Sequence, residues 1–266
     1  MSIAAFRRLH ESGCFVMPNA WDAGTAAMLQ HIGFPAIATT SAGYAWSLAR
    51  HDNDVGIGPV LAHMRSLVAA VDVPINADFE GGFAVEPDDI AVHVTLGVGT
   101  GVAGLSIEDS TGDPASPLFD FALAVERIAA ARAAIDTSGT DVLLTGRSEG
   151  FIVGRPDIDE TIRRLRAYAD AGADCLFAPG IRTPAHISAI VEAVAPKPVN
   201  VVVSADFTTV DALAEAGVRR ISVGGALARV AWAAFVSAAQ EMKTTGTFAH
   251  LASAAPSAAI EEAFRS

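Results

Sequence analysis

Cysteine is nearly absent: only two occur in 266 residues. Cys14 and Cys175 lie far apart with no Cys-x-x-Cys or other ligand spacing, which argues against a thiolate metal site and leaves two small core residues in a reducing cytoplasm. Long apolar runs are also missing. None is long enough to span a bilayer, and residues 1–11, with Arg7, Arg8 and His10, hold no apolar stretch of secretory length. Basic residues are outnumbered, 18 Lys and Arg against 30 Asp and Glu, and the net charge of −12 repels nucleic acid and anionic membranes. A soluble, cytoplasmic protein with neither partner is expected, and any anionic substrate needs a local cation to enter. What is present is a balance of 51% hydrophobic and 18% charged residues with 23 Gly and 13 Pro, typical of a well-buried, enzyme-like fold.

Apolar runs of strand length alternate with helical patterns. Strands are predicted at 14–18, 34–40, 73–77, 102–107, 142–145, 174–178, 199–203 and 220–223. Helices are predicted at 23–31, 59–70, 87–96, 119–135, 157–171, 184–194, 209–216 and 226–242, with Asp22 as an N-cap and Pro59 in a first turn. About eight such units at near-regular spacing indicate an α/β fold, a single (β/α)8 TIM-type barrel. A doubly wound open sheet is the competitor. It is disfavoured because no Gly-x-Gly-x-x-Gly turn and no mid-chain break appear. The barrel is assigned to 1–243 and a C-terminal helical tail to 244–266, placed outside it and against a neighbouring subunit.

The residues just past each strand signal the chemistry. Asp78 and Glu80 leave the third strand on the same side, because strand side chains repeat every two residues. Two acids so close need a cation or donors, so the pair reads as a divalent-metal site, an acid/base pair or a solvated turn. In a parallel barrel all strand ends face one way. Asn19, residues 41–44, Asp78 with Glu80, Glu108 with Asp109, Arg147 with Glu149, and Asn200 with Ser204 are therefore expected around one pocket. Hard oxygen ligands from three strands suit Mg2+, with Mn2+ as the alternative. Arg147 offers a fork for a substrate carboxylate or phosphoryl oxygen, or else closes a salt bridge with Glu149 or Glu108.

These residues carry a resemblance. Asp78-Phe79-Glu80-Gly81-Gly82-Phe83 resembles the metal loop of the isocitrate lyase and phosphoenolpyruvate mutase superfamily. Ile107-Glu108-Asp109 is similar to its Ile-Glu-Asp strand end, and Gly146-Arg147-Ser148-Glu149-Gly150-Phe151 to its Ala-Arg-x-Asp/Glu-Ala-Phe. The likeness runs from about residue 15 to 240. It implies Mg2+ held directly by Asp78, with Glu80, Glu108 and an acid of the second loop acting through water. Ser47-Leu48-Ala49-Arg50-His51-Asp52 resembles the family's Ser-Leu-Gly-x-Pro-Asp, which selects Asp52, or Asp54 if the register slips. Ser41, Ala42, Gly43 and Tyr44 match the segment that holds the substrate's carboxylate or phosphonate. The family also builds tetramers, dimers of dimers, by exchanging a C-terminal helix, here 226–242 or the tail beyond it.

The chain departs from the family lyases at 110–118. Their Lys-Lys/Arg-Cys-Gly-His loop is replaced by Ser110-Thr111-Gly112-Asp113-Pro114-Ala115-Ser116-Pro117-Leu118, without Cys, Lys or His. The longer gating loop of phosphonopyruvate enzymes is missing as well. What remains binds a small 2-oxo or 2-hydroxy acid on Mg2+ and stabilises an enolate. The expected activity is a carbon-carbon lyase on an acid such as oxaloacetate or a methylisocitrate-like compound. Arg147 and Asn200 bind substrate, Glu108 serves the metal, and Tyr44 or water supplies the proton. His51 is either a base or a surface residue. Phosphorus-carbon chemistry on phosphonopyruvate and a non-catalytic, carboxylate-binding barrel are the alternatives.

Overall fold

A computed structural model describes residues 3–264. After α1 (Ile3–Leu9) the chain enters β1 (Phe15–Val16) and β2 (Asn19–Ala20), then α2 (Ala23–Ile32), β3 (Ile37–Thr39), α3 (Ser41–Ser47) and α4 (Ile57–Ala70). Next come β4 (Ile75–Asp78), α5 (Pro87–Val98), β5 (Gly104–Glu108), α6 (Phe121–Thr137), β6 (Leu143–Arg147) and α7 (Ile158–Asp170). The chain finishes with β7 (Cys175–Phe177), α8 (Pro184–Val194), β8 (Val199–Val202), α9 (Val210–Glu215), β9 (Arg220–Ser222), α10 (Ala226–Thr245), a 3-10 turn (Ala249–Ser253) and α11 (Ser257–Glu262).

The nine strands pair in parallel throughout, and their order runs from β1 through β9, β8, β7, β6, β5, β4 and β3 to β2. β1 and β2 are consecutive in the chain, so they act as one strand interrupted at Met17 and Pro18, and the sheet closes into an eight-stranded (β/α)8 barrel. The interruption has a simple cause. Pro18 has no N–H to give the ladder, but its carbonyl still accepts from Ala38 N at 2.9 Å, while Met17 N donates to Ile221 O at 2.7 Å. Asn19 completes the closure. Its Nδ2 donates to Thr39 O at 2.7 Å, and its Oδ1 accepts from Val223 N and Gly224 N at 2.9 and 2.8 Å.

The main apolar core lies between the sheet and the helices, where Ile75, Leu105, Leu144 and Leu176 meet Leu67, Ile90, Ile128 and Leu165. A smaller cluster built around Phe6, Met17, Leu143 and Cys175 seals the N-terminal end of the barrel. Asp22 caps α2 as expected, in a reciprocal box with Thr25.

Among the expected boundaries that moved, three have a visible cause. Residues 41–47 form a helix, because Thr40 Oγ1 accepts from Gly43 N at 3.3 Å and the small side chains let the turn pack closely. The next helix begins at Ile57 rather than Pro59. Proline is tolerated there because the first four N–H groups of a helix lack intrahelical partners anyway. Phe119 stays outside α6: its N–H donates to Asp109 O at 2.9 Å and Arg127 covers its ring at 3.8 Å.

α10 runs to Thr245, past the expected helix end at 242, and, apart from Ala228, lies away from the core. Among the described residues no helix is long and apolar enough to cross a membrane.

Candidate active site

Asp78 is the last residue of β4, and its backbone N–H donates to Thr39 Oγ1 at 2.8 Å. Its Oδ2 accepts from Ser41 N at 3.0 Å, and its Oδ1 lies 3.3 Å from Arg147 Nη1. The chain then turns sharply. Glu80 and Phe83 adopt left-handed conformations, with φ of 49° and 59°. Such backbone is costly for residues with a Cβ and persists mainly where function requires it. Gly82, with φ 74°, has no alternative, since a Cβ there would sit 2.6 Å from Ile90 Cδ1. Arg127, on α6, holds this loop from below by donating to the carbonyls of Gly81 and Ala84. Glu80 O in turn accepts from Glu108 N at 3.1 Å, which fixes the ends of β4 and β5 together.

Arg147 is surrounded by acids. It contacts Glu108 Oε2 at 3.1 Å and Asp78 at 3.3 Å, and its Nε donates to Glu149 Oε1. Burial opposes its charge, but Glu108, Glu149 and Asp78 outweigh that and hold it firmly protonated. The expected fork for substrate is thus engaged by carboxylates.

Burial, then the charges of Asp78 and Asp52, push Glu80 up to about 8. Burial also raises Glu108, helped by Glu149, Asp78 and Glu80 and opposed by Arg147. Asp52 is raised by burial and then by Asp78. Asp78 is the acid whose charge bears on all three. Among the described residues no three His, Cys, Asp or Glu side chains converge on one point as a metal would require. The donor set nonetheless fits Mg2+ held through one direct carboxylate and several waters: hard oxygens only, from several loops, crowded closely enough to disfavour one another's ionisation, a repulsion that a divalent cation would relieve.

A cavity of about 220 Å3 opens at the strand ends, lined by Ser41, Ala42, Asp52, Asp78, Arg147 and Asn200 among others. Ser41, Ala42, Arg147 and Asn200 thus come together with Asp78 and Asp52, whereas Asp54 is not among the lining residues. Glu80 and Glu108 line an adjoining cleft with Ser110, Thr111 and Arg127. Gly43 is buried against Thr40 and Trp21.

Two expected members are turned away. Tyr44 stacks on His63 with ring centroids 3.8 Å apart, and its hydroxyl donates to Pro59 O at 3.3 Å, outside the cavity. Tyr44→Phe is accordingly expected to change turnover by less than about threefold, since one exposed hydrogen bond is lost; a hundredfold fall in steady-state kcat would return the hydroxyl to the chemistry. Asp109 points outward from the barrel, accepting from Tyr168 OH at 2.6 Å, Arg164 Nη1 at 3.1 Å and Glu149 N at 2.7 Å. His51 is exposed.

The loop at 110–118 folds on itself through an antiparallel bridge between Ser110 and Leu118 and a 3.1 Å bond from Thr111 N to Pro117 O. Sequence reasoning missed Arg127, which resembles any solvent-facing helix arginine until the loop over it is in place. It also missed Asn76, Ser106 and Arg220, which line the cavity from within the strands. Their signal was a polar residue inside an apolar strand.

Comparison with known proteins places the chain. A solved protein of Burkholderia cenocepacia J2315, described as a lyase/mutase, superposes with a TM-score of 0.95 at 46% identity, over 99% of this chain and 95% of that one. An uncharacterized Mycobacterium tuberculosis protein is 34% identical over 222 residues, 83% of this chain and 81% of that one. A phosphonopyruvate hydrolase solved with oxalate and Mg2+ superposes with a TM-score of 0.85 at 26% identity, covering 99% and 94% of the two chains. Residues 6–243 match the family model of phosphoenolpyruvate phosphomutase, and the chain belongs to that family, within the superfamily of Mg2+-dependent lyases and mutases that includes isocitrate lyase.

Proposed function

We propose that the protein is a Mg2+-dependent carbon-carbon lyase acting on a small 2-oxo or 2-hydroxy carboxylic acid such as oxaloacetate or a methylisocitrate-like acid. The observation that carries this reading is Asp78, set at a strand end as the shared neighbour of Asp52, Glu80 and Glu108, with Arg147 as the cation facing them. Bound there, Mg2+ supplies a Lewis acid for the oxygens of an α-oxo acid.

The chain's own groups do the rest. The Ser41 amide fixes Asp78, and Arg147 keeps Glu108 and Glu149 in place while its positive charge favours an anionic ligand. With no thiol, amine or imidazole on 110–118, the loop offers the hydroxyls of Ser110, Thr111 and Ser116, while its one carboxylate, Asp113, is exposed at the tip and accepts from Ala115 N at 2.9 Å. That suits a cleavage needing no general base. In decarboxylation of a β-oxo acid the carbon-carbon bond to the terminal carboxylate breaks, CO2 leaves, and the electron pair passes to an enolate that takes a proton from water.

The test is a panel of oxaloacetate, methylisocitrate, dimethylmalate and phosphonopyruvate, assayed with and without a chelator. Product from one of the carbon acids, lost on chelation and restored by Mg2+, is expected. Phosphate release from phosphonopyruvate would instead favour phosphorus-carbon chemistry. Oxalate binding with Mg2+ and no turnover of any acid would leave a non-catalytic binding barrel.

The same reading includes a homo-oligomer. α10 presents Val230 and Phe235 at 66% and 64% exposure beside Trp232, an apolar face that its own barrel leaves uncovered. A second copy of the chain is the proposed cover, and the tail from 244 onward belongs to that contact. Phe235→Asp is expected to reduce the mass measured by light scattering to that of a smaller species; an unchanged mass, or a monomeric parent, would remove the idea.

A further inference from the structure

A parallel barrel is ordinarily filled by branched apolar side chains. Here the layer below the strand ends is polar. Asn76 precedes Asp78 by two residues, Ser106 precedes Glu108 and Thr145 precedes Arg147, so each points inward beneath a group of the site. Asn200 and Arg220 face each other in register on β8 and β9, and all five side chains are buried.

Arg220 is the unusual member. It is 2% exposed, and its guanidinium crosses the interior to β6. Nε donates to Asn200 Oδ1 at 2.9 Å, Nη2 to Thr145 Oγ1 at 3.0 Å, and Nη1 lies 3.3 Å from His10 Nε2. His10 Nδ1 sits 2.8 Å from Phe6 O. A carbonyl only accepts, so Nδ1 carries the proton and Nε2 accepts from Arg220. The imidazole is therefore neutral, and so is every other partner of Arg220.

A guanidinium has five N–H donors, and the three bonds leave two of them without a partner among the described residues. Burying a charge without a counter-charge is costly, and proteins seldom do it without cause. Arg147, one layer above, meets three carboxylates; Arg220 forms no ion pair among the described residues.

The neighbouring groups also have bonding capacity to spare. Among the described residues the donors of the Asn76 side-chain amide and the Ser106 hydroxyl each reach only Ala77 O, at 3.5 Å, the limit of a hydrogen bond. Arg220, Asn76 and Ser106 line the same cavity of about 220 Å3 that Asp78 and Arg147 line from above. At ~30 Å3 per water, that volume matches about seven waters, enough for an acid of a few carbons.

We propose that Arg220, with Asn76 and Ser106, forms an anion subsite inside the barrel, one layer below the strand ends, that takes a carboxylate of the ligand. The proposal rests on the reading of this cavity as the site of a small oxo- or hydroxy-acid. It assigns the two ends of that acid: one carboxylate sits on Arg220 at the floor, and the end bearing the 2-oxygen faces Asp78. Arg220 is thus a positioning residue that selects di-acids over mono-acids of the same core.

L-Malate and L-lactate differ by one carboxylate and separate the two readings when titrated calorimetrically into the full-length protein with Mg2+. The parent protein is expected to bind malate at least about tenfold more tightly than lactate, the worth of one charge-assisted contact. Arg220→Met, which keeps the length and removes the charge, is expected to erase that ratio by weakening malate alone, while Arg220→Lys retains part of it. If Arg220→Met does not fold, Asn76→Leu at the same floor must lower the malate-to-lactate ratio. Equal affinities in the parent, or an equal loss of both ligands in the variant, would overturn the subsite and leave the lyase reading standing. Binding of neither acid in the presence of Mg2+ would overturn both.

Discussion

Asp78→Asn is expected to lower turnover by about 10^3-fold, the scale of removing one preorganised charge from an active site. It is also expected to leave the metal-free protein as stable as its parent or slightly more so. The two effects have one origin. The charge of Asp78 raises Asp52, Glu80 and Glu108 together, so its removal relieves repulsion in the folded state. Asparagine still accepts from Ser41 N, and Arg147 keeps Glu108 and Glu149. A group that opposes stability and supports activity marks a functional site. Thermal unfolding without metal, Mg2+ titration and a kcat measurement on one preparation separate the outcomes. A lower Tm with unchanged kcat would make Asp78 a mere counter-ion of Arg147.

Asp109→Ala is expected to have the opposite signature. Asp109 is buried and supplies the acceptor for Tyr168 OH, Arg164 Nη1 and Glu149 N at once. Burial and the Asp109 charge together hold the Tyr168 hydroxyl firmly protonated. Removing the carboxylate leaves Arg164 with Glu160 as its one ionic partner among the described residues, and leaves the Glu149 N–H without its acceptor. Breaking a buried pair from one side costs roughly 3–5 kcal/mol, and at about 2 °C per kcal/mol for a chain of this size Tm should fall by roughly 5–10 °C. Mg2+ affinity measured well below that temperature should be unchanged. An unaltered Tm with weakened Mg2+ binding would move Asp109 into the metal site.

These two neighbours show where sequence reading succeeds and where it stops. A parallel barrel converts order along the chain into position around a ring, so strand ends alone bring Asp78, Glu108 and Arg147 together. Glu108 and Asp109 look like a pair in the sequence, although alternation sends consecutive strand residues to opposite faces. Tyr44 looks like a loop residue there. Thr40 has no acid three positions on to announce a capping box, so the helix that turns the Tyr44 hydroxyl toward Pro59 stays hidden. Arg127 depends on carbonyls of Gly81 and Ala84, far away in sequence, and no local pattern reports such a bond. The inward polar layer is written in the chain, as Asn76 within an apolar run and Arg220 opening a strand. Recognising it requires the barrel to be closed first.

The hairpin at 110–118 has a consequence for how new specificities arise on this barrel. Its stem is already joined by the Ser110–Leu118 bridge, and its tip, from Gly112 to Ala115, is exposed. Lengthening such a tip costs little, about 0.6 kcal/mol for each doubling of length, because closure is set at the stem. The segment therefore behaves as a replaceable cassette. Residues of any chemistry can be inserted above the carboxylates without retuning the strands that hold them, and a graft of a longer, thiol-bearing tip should fold on this scaffold as readily as the short one.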